Sequence, residues 1–185
     1  MEISIIELSF SGKSNVLILW GQNDGDDCFL LDNNQKICGF LSRNNIIHYL
    51  NNGDTLINPF SNVVLGTHKP LASIEKISYS FKEIEEIILK NTHIEEIGAE
   101  DGGYLIEVYN LISDYFYQIN NKECLLLRKN ENMEMFFDYC YYKYFWKQGD
   151  EWLELEKKIS GFNYSEFSEV YKELLNFFYR SIKIY

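Results

Sequence analysis

Residues 103–120 read GYLIEVYNLISDYFYQIN, and this stretch decides the fold. Leu105, Val108, Tyr109, Ile112, Tyr115, Phe116 and Ile119 recur at helical spacing on one face. Ile106, Leu111 and Tyr117 flank that face, leaving Glu107, Asn110, Asp114 and Gln118 as a narrow polar stripe. A helix apolar around most of its circumference is covered by neighbours on several sides, so it belongs at the centre of a helical layer. Asn110 and Asp114 have two readings. Either they face solvent or a partner, or they make buried hydrogen bonds that fix nearby loops, and the second is favoured.

Working outward, residues 1–50 look different. Residues 3–10 are rich in β-branched side chains, and three short apolar runs follow at 16–20, 28–31 and 37–41. Turn chemistry separates them at 21–26 (GQNDGD) and 32–35 (DNNQ), which predicts an antiparallel meander. Ser42 can cap a helix of about two turns ending at Asn52-Gly53. Residues 53–72 hold both prolines and read as a long loop with one strand at 63–65. Ser80 and Glu83 have capping-box spacing, and Tyr79 can staple onto Ile84, which predicts a helix to about Lys90. Asp101-Gly102 opens the central helix. Further helices are expected over 131–146, 151–159 and from the Asn163 and Glu166 caps onward. Their apolar faces hold Met133, Phe136, Phe137, Cys140, Tyr144 and Phe145, and then Phe167, Val170, Tyr171, Leu174, Leu175 and Phe178. The expectation is one α+β domain over 1–185, with an N-terminal antiparallel meander packed against four to five C-terminal helices.

Composition narrows the function classes. The chain carries a net charge of -11, divided as -4 over residues 1–92 and -7 over 93–185. Such a field repels nucleic acid and anionic membrane and favours basic partners. Lys157-Lys158 is too small a basic patch to argue otherwise. Aromatics make up 16% of the chain, and tyrosine suits protein contacts as well as cores. Cys28, Cys38, Cys124 and Cys140 form no C-x-x-C pair and lie among apolar residues, so reduced, buried thiols are expected. Residues 1–10 have no basic leader region, and no apolar run reaches the roughly 20 residues a membrane span needs. A cytoplasmic protein is expected.

No enzyme motif stands out. Asp24, Asp26 and Asp27 suggest a calcium loop, but positions six and twelve of that pattern hold Phe29 and Gln35 instead of Gly and Glu. His48, His68 and His93 lack ligand-spaced partners, and no P-loop or glycine-rich dinucleotide turn is present. The expectation is no cofactor and no catalytic residue. Two acidic clusters remain, Glu95-Glu96 with Glu100-Asp101 and Asp150-Glu151 with Glu154 and Glu156. Asp101 and Asp150 suit helix capping, and the others exceed what capping needs. Tyr141 and Tyr142 are hard to bury together with Tyr144 and Phe145 on one helix. These ten residues (the eight acids, Tyr141 and Tyr142) form the expected partner-binding set.

The order of blocks carries a resemblance. Ile18-Leu-Trp-Gly21, Phe29-Leu-Leu-Asp32 and Ile37-Cys-Gly-Phe-Leu41 ahead of a short helix resemble immunity proteins of bacterial contact-dependent growth inhibition systems. So do Tyr79-Ser-Phe81 opening a helix, and Tyr109-Asn-Leu-Ile-Ser-Asp114, which is similar to that group's aromatic-Asn-Leu-x-x-Asp helix. Phe137-Asp138 and Tyr144-Phe145-Trp146 resemble a later aromatic block, while a Pro-x-Trp segment is missing. The resemblance implies a cytoplasmic immunity protein that binds one cognate toxin domain, often a nuclease, and occludes its basic active site. The alternative from another class is a small metal-dependent hydrolase or nucleotide-handling enzyme, built on the turn at 24–27 and a histidine.

Overall fold

The computed structural model describes residues 2–23, 25–52, 74–145, 155, 157 and 159–185. The fold is α+β, and the described residues divide into two compact units. Unit 1 comprises 1–82 with 178–185, and unit 2 comprises 83–177.

In chain order the elements are β1 (Glu2–Ser9), β2 (Val16–Asn23), β3 (Asp26–Phe29), β4 (Ile37–Phe40), α1 (Arg43–Asn52) and β5 (Lys76–Ser80). Then come α2 (Phe81–Lys90), a 3₁₀ turn (Ile94–Glu96), α3 (Ala99–Gln118), α4 (Lys122–Leu127) and α5 (Glu131–Cys140). A π-helical turn (Tyr141–Phe145), α6 (Tyr164–Arg180) and β6 (Ile182–Ile184) complete them.

Unit 1 is a mixed sheet of order β5-β1-β2-β4-β6, with β3 also on β2. The expected antiparallel pairing of β1 to β4 is present, including an antiparallel bridge between Leu31 and Ile37, inside a sheet that β5 and β6 make mixed. β3 pairs with the end of β2 (Trp20↔Phe29), and β4 pairs with its beginning (Leu17↔Phe40). Both run along the same edge of β2, and the chain between them makes an excursion at 32–36. Asp32 builds that excursion by accepting from the amides of Asn34 (2.8 Å) and Lys36 (2.9 Å). β5 and β6 are parallel additions on β1 and β4, and both were missed in the sequence. The central position of β2 explains its unbroken apolar run, because Leu17, Ile18 and Leu19 are buried whichever way they point. On one face Ile5, Leu17, Leu19, Leu30 and Phe40 pack with Ile46 and Leu50 of α1. The Ser42 cap is as expected, with its Oγ accepting from the Asn45 amide at 3.2 Å.

Gly39 sits at a close approach within the sheet. A Cβ there would lie 2.7 Å from Ile182 Cγ2 and 2.9 Å from Val16 Cγ1. Tyr185 N donates to Gly39 O at 2.9 Å, and Tyr185 Oη donates to Asp32 at 2.9 Å, which ties β6 to β4 and its preceding turn.

Unit 2 centres on α3. Leu105, Val108, Ile112 and Phe116 are at most 1% exposed, and each such burial is worth about 1.5–3 kcal/mol. Phe137 of α5 packs on Tyr109 with ring centroids 4.1 Å apart. Tyr171 of α6, fully buried, donates to Leu105 O at 2.6 Å. Phe136 meets Phe167 at 4.5 Å between ring centroids. α3 starts at Ala99 with Gly98 as its cap, so Asp101 lies in the first turn and is not the cap. Gly102 is inside the helix, where a Cβ would come 2.9 Å from the buried Cys140 Sγ. Asn110 is exposed, which overturns the favoured reading of it as a buried hydrogen-bonding group, and Asp114 is half-buried.

α6 starts as expected, with Asn163 Oδ1 accepting from the Glu166 amide at 3.2 Å. The buried Asn132 holds that cap in place by accepting from Asn163 N at 2.6 Å. Glu166 does not complete a box there and accepts from Asn130 instead. All four cysteines are free and buried. The expected strand at 63–65 and Trp146 lie outside the described residues, as does most of 151–159, of which Leu155, Lys157 and Ile159 are helical.

Candidate partner-binding surface

The 3₁₀ turn and the start of α3 carry Glu95, Glu96, Glu100 and Asp101 on one continuous stretch of unit 2. Two of these acids are committed locally. Glu96 accepts from Thr92 N (2.6 Å), His93 N (3.1 Å) and Thr92 Oγ1 (3.2 Å), and the two amides hold its carboxyl below the usual carboxylate range. It is a capping residue. Asp101 pairs with Lys90 at 2.7 Å, an exposed bridge of the kind worth about 0–1 kcal/mol. Glu95 and Glu100 are exposed.

The turn at 141–145, some 40 residues later, comes back against this stretch. Tyr144 Oη donates to Ile97 O at 2.5 Å. A Cβ on Gly103 would meet the Phe145 ring at 3.3 Å. The charge of Glu95 reaches Tyr139, whose phenol burial pushes up, with Lys143 pulling it down and Glu95 adding to the rise. Lys143 donates to Tyr139 Oη and lies over the rings of Tyr139 and Tyr144. Tyr141 is 46% exposed and Phe145 55% exposed, with Tyr142 half-buried edge-on to Tyr141 at 5.8 Å. Phe145 was expected on the buried face of α5. The π turn overrides that, because each residue there advances less than an α-helical residue and rotates the side chains off the α5 stripe.

Tyr144 and Phe145 thus bring the turn that carries Tyr141 and Tyr142 back against the stretch that carries Glu95, Glu96, Glu100 and Asp101. Asp150, Glu151, Glu154 and Glu156 lie outside the described residues. Glu95 also lines a cleft of about 520 Å³ with Thr92, His93, Phe162 and Tyr164. Tyr164, one of its lining residues, donates to Ile88 O at 2.9 Å.

A second cleft of about 720 Å³ in unit 2 went unread in the sequence. Tyr109 and Asn110 of α3, Arg128 after α4, and Phe137 and Asp138 of α5 line it. Two of the short blocks that carry the family resemblance therefore meet at one cavity. Arg128 gave no signal in the sequence beyond being a lone arginine after the apolar triplet Leu125-Leu-Leu127. His48 and His93 are exposed, and His68 lies outside the described residues. Among the described residues, no group of three His, Cys, Asp or Glu is placed to hold a metal ion, and no helix is long and apolar enough to cross a membrane.

No protein-family profile matches the sequence, and no curated protein matches it. Among solved structures, the fold resembles the C-terminal domain of SatS, crystallised in complex with bromine. That likeness covers 99% of this chain and 94% of that one, at 12% identity and a TM-score of 0.62. At such identity it establishes a shared fold.

Proposed function

We propose that the chain is an immunity protein that binds a basic toxin domain and blocks its active site by covering it. The observation that carries the reading is the return of the 141–145 turn, with the exposed rings of Tyr141 and Phe145, against the stretch that bears the exposed acids Glu95 and Glu100. Interfaces that hold charged enzymes use this combination. Carboxylates set on-rate and orientation against Lys and Arg, while aromatic anchors fill pockets and exclude water. The net charge of -11 acts in the same direction at longer range. Inhibition by occlusion needs no chemistry from this chain, and the resemblance to growth-inhibition immunity proteins supports the same role.

The test is co-expression with the C-terminal domain of the protein encoded immediately upstream, reading growth rescue and then association by stopped flow. Glu95→Lys with Glu100→Lys is the informative pair, because reversing Glu96 would also release the Thr92–His93 cap. At low salt the double variant should associate about tenfold more slowly, with a flatter salt dependence. An unchanged on-rate and salt slope would leave the acidic patch as solvated surface, and an absence of rescue by the wild type would remove the role altogether.

A further inference from the structure

The cleft lined by Arg128 holds an arrangement that the proposed inhibitory role does not use. The Arg128 guanidinium lies between two tyrosines, with Cζ 5.0 Å from the Tyr109 ring centroid and 4.7 Å from that of Tyr117. Its Nε donates to Tyr109 Oη at 3.0 Å, which fixes the plane of the fork. Its Nη1 is shut away from solvent and has no hydrogen-bond partner among the described residues. Guanidinium groups only donate, so an orphaned nitrogen of this kind is a standing demand for an acceptor. Tyr109 is buried, whereas Tyr117 is 62% exposed and can swing away at little loss of packing. Phe137 also lines the cleft and packs on Tyr109 with the two rings tilted.

We propose that this cleft binds a small carboxylic acid carried on an aromatic body, with Arg128 as the carboxylate receptor and Tyr117 as a movable cover. The planar fork matches a carboxylate in bidentate geometry. Tyr117 and Phe137 supply aromatic surface for a ring, and about 720 Å³ is the size of an ordinary small-ligand pocket. Glu134 and Asp138 also line the cleft and set a limit on ligand charge. They repel phosphates and other multiply charged anions, and they offer acceptors to a ligand N–H. A single carboxylate next to an amide fits both requirements. The site is independent of the acidic patch, because it uses other residues and selects the opposite sign of charge.

The probe is N-acetylphenylalanine, with its neutral amide and inorganic phosphate as controls, titrated into the full chain. The readout is the Arg128 Nε–H resonance in ¹⁵N–¹H spectra, identified by its loss in Arg128→Lys. The acid should shift it saturably, and the amide should bind at least tenfold more weakly. Phosphate at equal ionic strength should leave it unmoved. A folded Arg128→Gln variant, followed through the Asn110 side-chain amide, should lose affinity for the acid by at least tenfold. If acid and amide shift the resonance alike, or if phosphate competes with the acid, the assignment is wrong. Should Arg128→Gln fail to fold, the acid-against-amide comparison in the wild type decides alone.

Discussion

Gly102→Ala offers a sharp test of how α3 and α5 are held beneath the acidic and aromatic patch. Alanine at an interior helix position is favoured over glycine by about 1 kcal/mol, so the helix alone would gain. The added methyl, however, would stand 2.9 Å from Cys140 Sγ, which is fully buried, and 3.7 Å from Ile97 Cγ2. Overpacking of this kind costs about 1–3 kcal/mol, so the balance is a loss of about 0–2 kcal/mol. Cys140→Ala removes the atom in the way and leaves a small void, costing about 1 kcal/mol by itself. Combined, the new methyl takes the space vacated by sulfur and the helix keeps its propensity gain. The double variant should therefore lie within about 0.5 kcal/mol of wild type, with a coupling of at least about 1 kcal/mol. Urea melts of the four proteins with matched m-values measure this cycle. Single effects that add to within about 0.3 kcal/mol, or a Gly102→Ala protein more stable than wild type, would refute the packing argument.

Ile112→Ala should cost about 2–5 kcal/mol in urea melts, because Ile112 is 1% exposed at the centre of unit 2, and a loss under about 0.5 kcal/mol would mean α3 is not central. Asp32→Ala should cost on the order of 1–3 kcal/mol, because it strips acceptors from Asn34, Lys36 and Tyr185 together. Burial opposes ionisation of Asp32, but donation from Lys36, Tyr185, Asn34 and Lys183 outweighs it and lowers its pKa. Its contribution is therefore present above the ordinary carboxylate value of about 3.9 and lost as pH falls through the lowered one. Acid melts of wild type and variant should converge in that range. Burial lifts the thiols of Cys38 and Cys124 to about 11 and that of Cys140 to about 12. Unfolded thiols release protons near their ordinary value of about 8.5 while the folded ones retain them. Stability should fall progressively from there to about pH 12, and thiol reagents at pH 8 should react only on unfolding.

Much of the helical part was legible in the sequence because its periodicity is long and its capping chemistry is local. The runs along α3 and α6, the Ser42 and Asn163 caps and the apolar setting of the cysteines all carried their meaning within a few residues. β5 and β6 were not legible. Five residues of KISYS and three of IKI give too short an alternation, and their partners on β1 and β4 lie some 70 and 145 residues away. Asp101-Gly102 misled for a physical reason. The pair reads as a turn, yet the glycine serves close approach of Cys140 inside a helix already begun at Ala99. Of the site, the acids were visible as charge, but the split between the capping Glu96 and the exposed Glu95 depends on a three-dimensional turn. The second cleft joins residues from three helices around Arg128, and only the fold brings them together.

The mixed sheet also has a consequence in time. β6 comes from the far side of unit 2 in the sequence, so the outer edge of β4 has no strand beside it until residues 178–185 have been made. Unit 2, being continuous, is synthesised whole in the interval. At about 5–20 residues per second, that interval lasts on the order of ten seconds. During it the carbonyl of Gly39 and its neighbours form an open ribbon edge, able to accept any strand that arrives first. A nascent chain stalled within this window would expose that edge for longer.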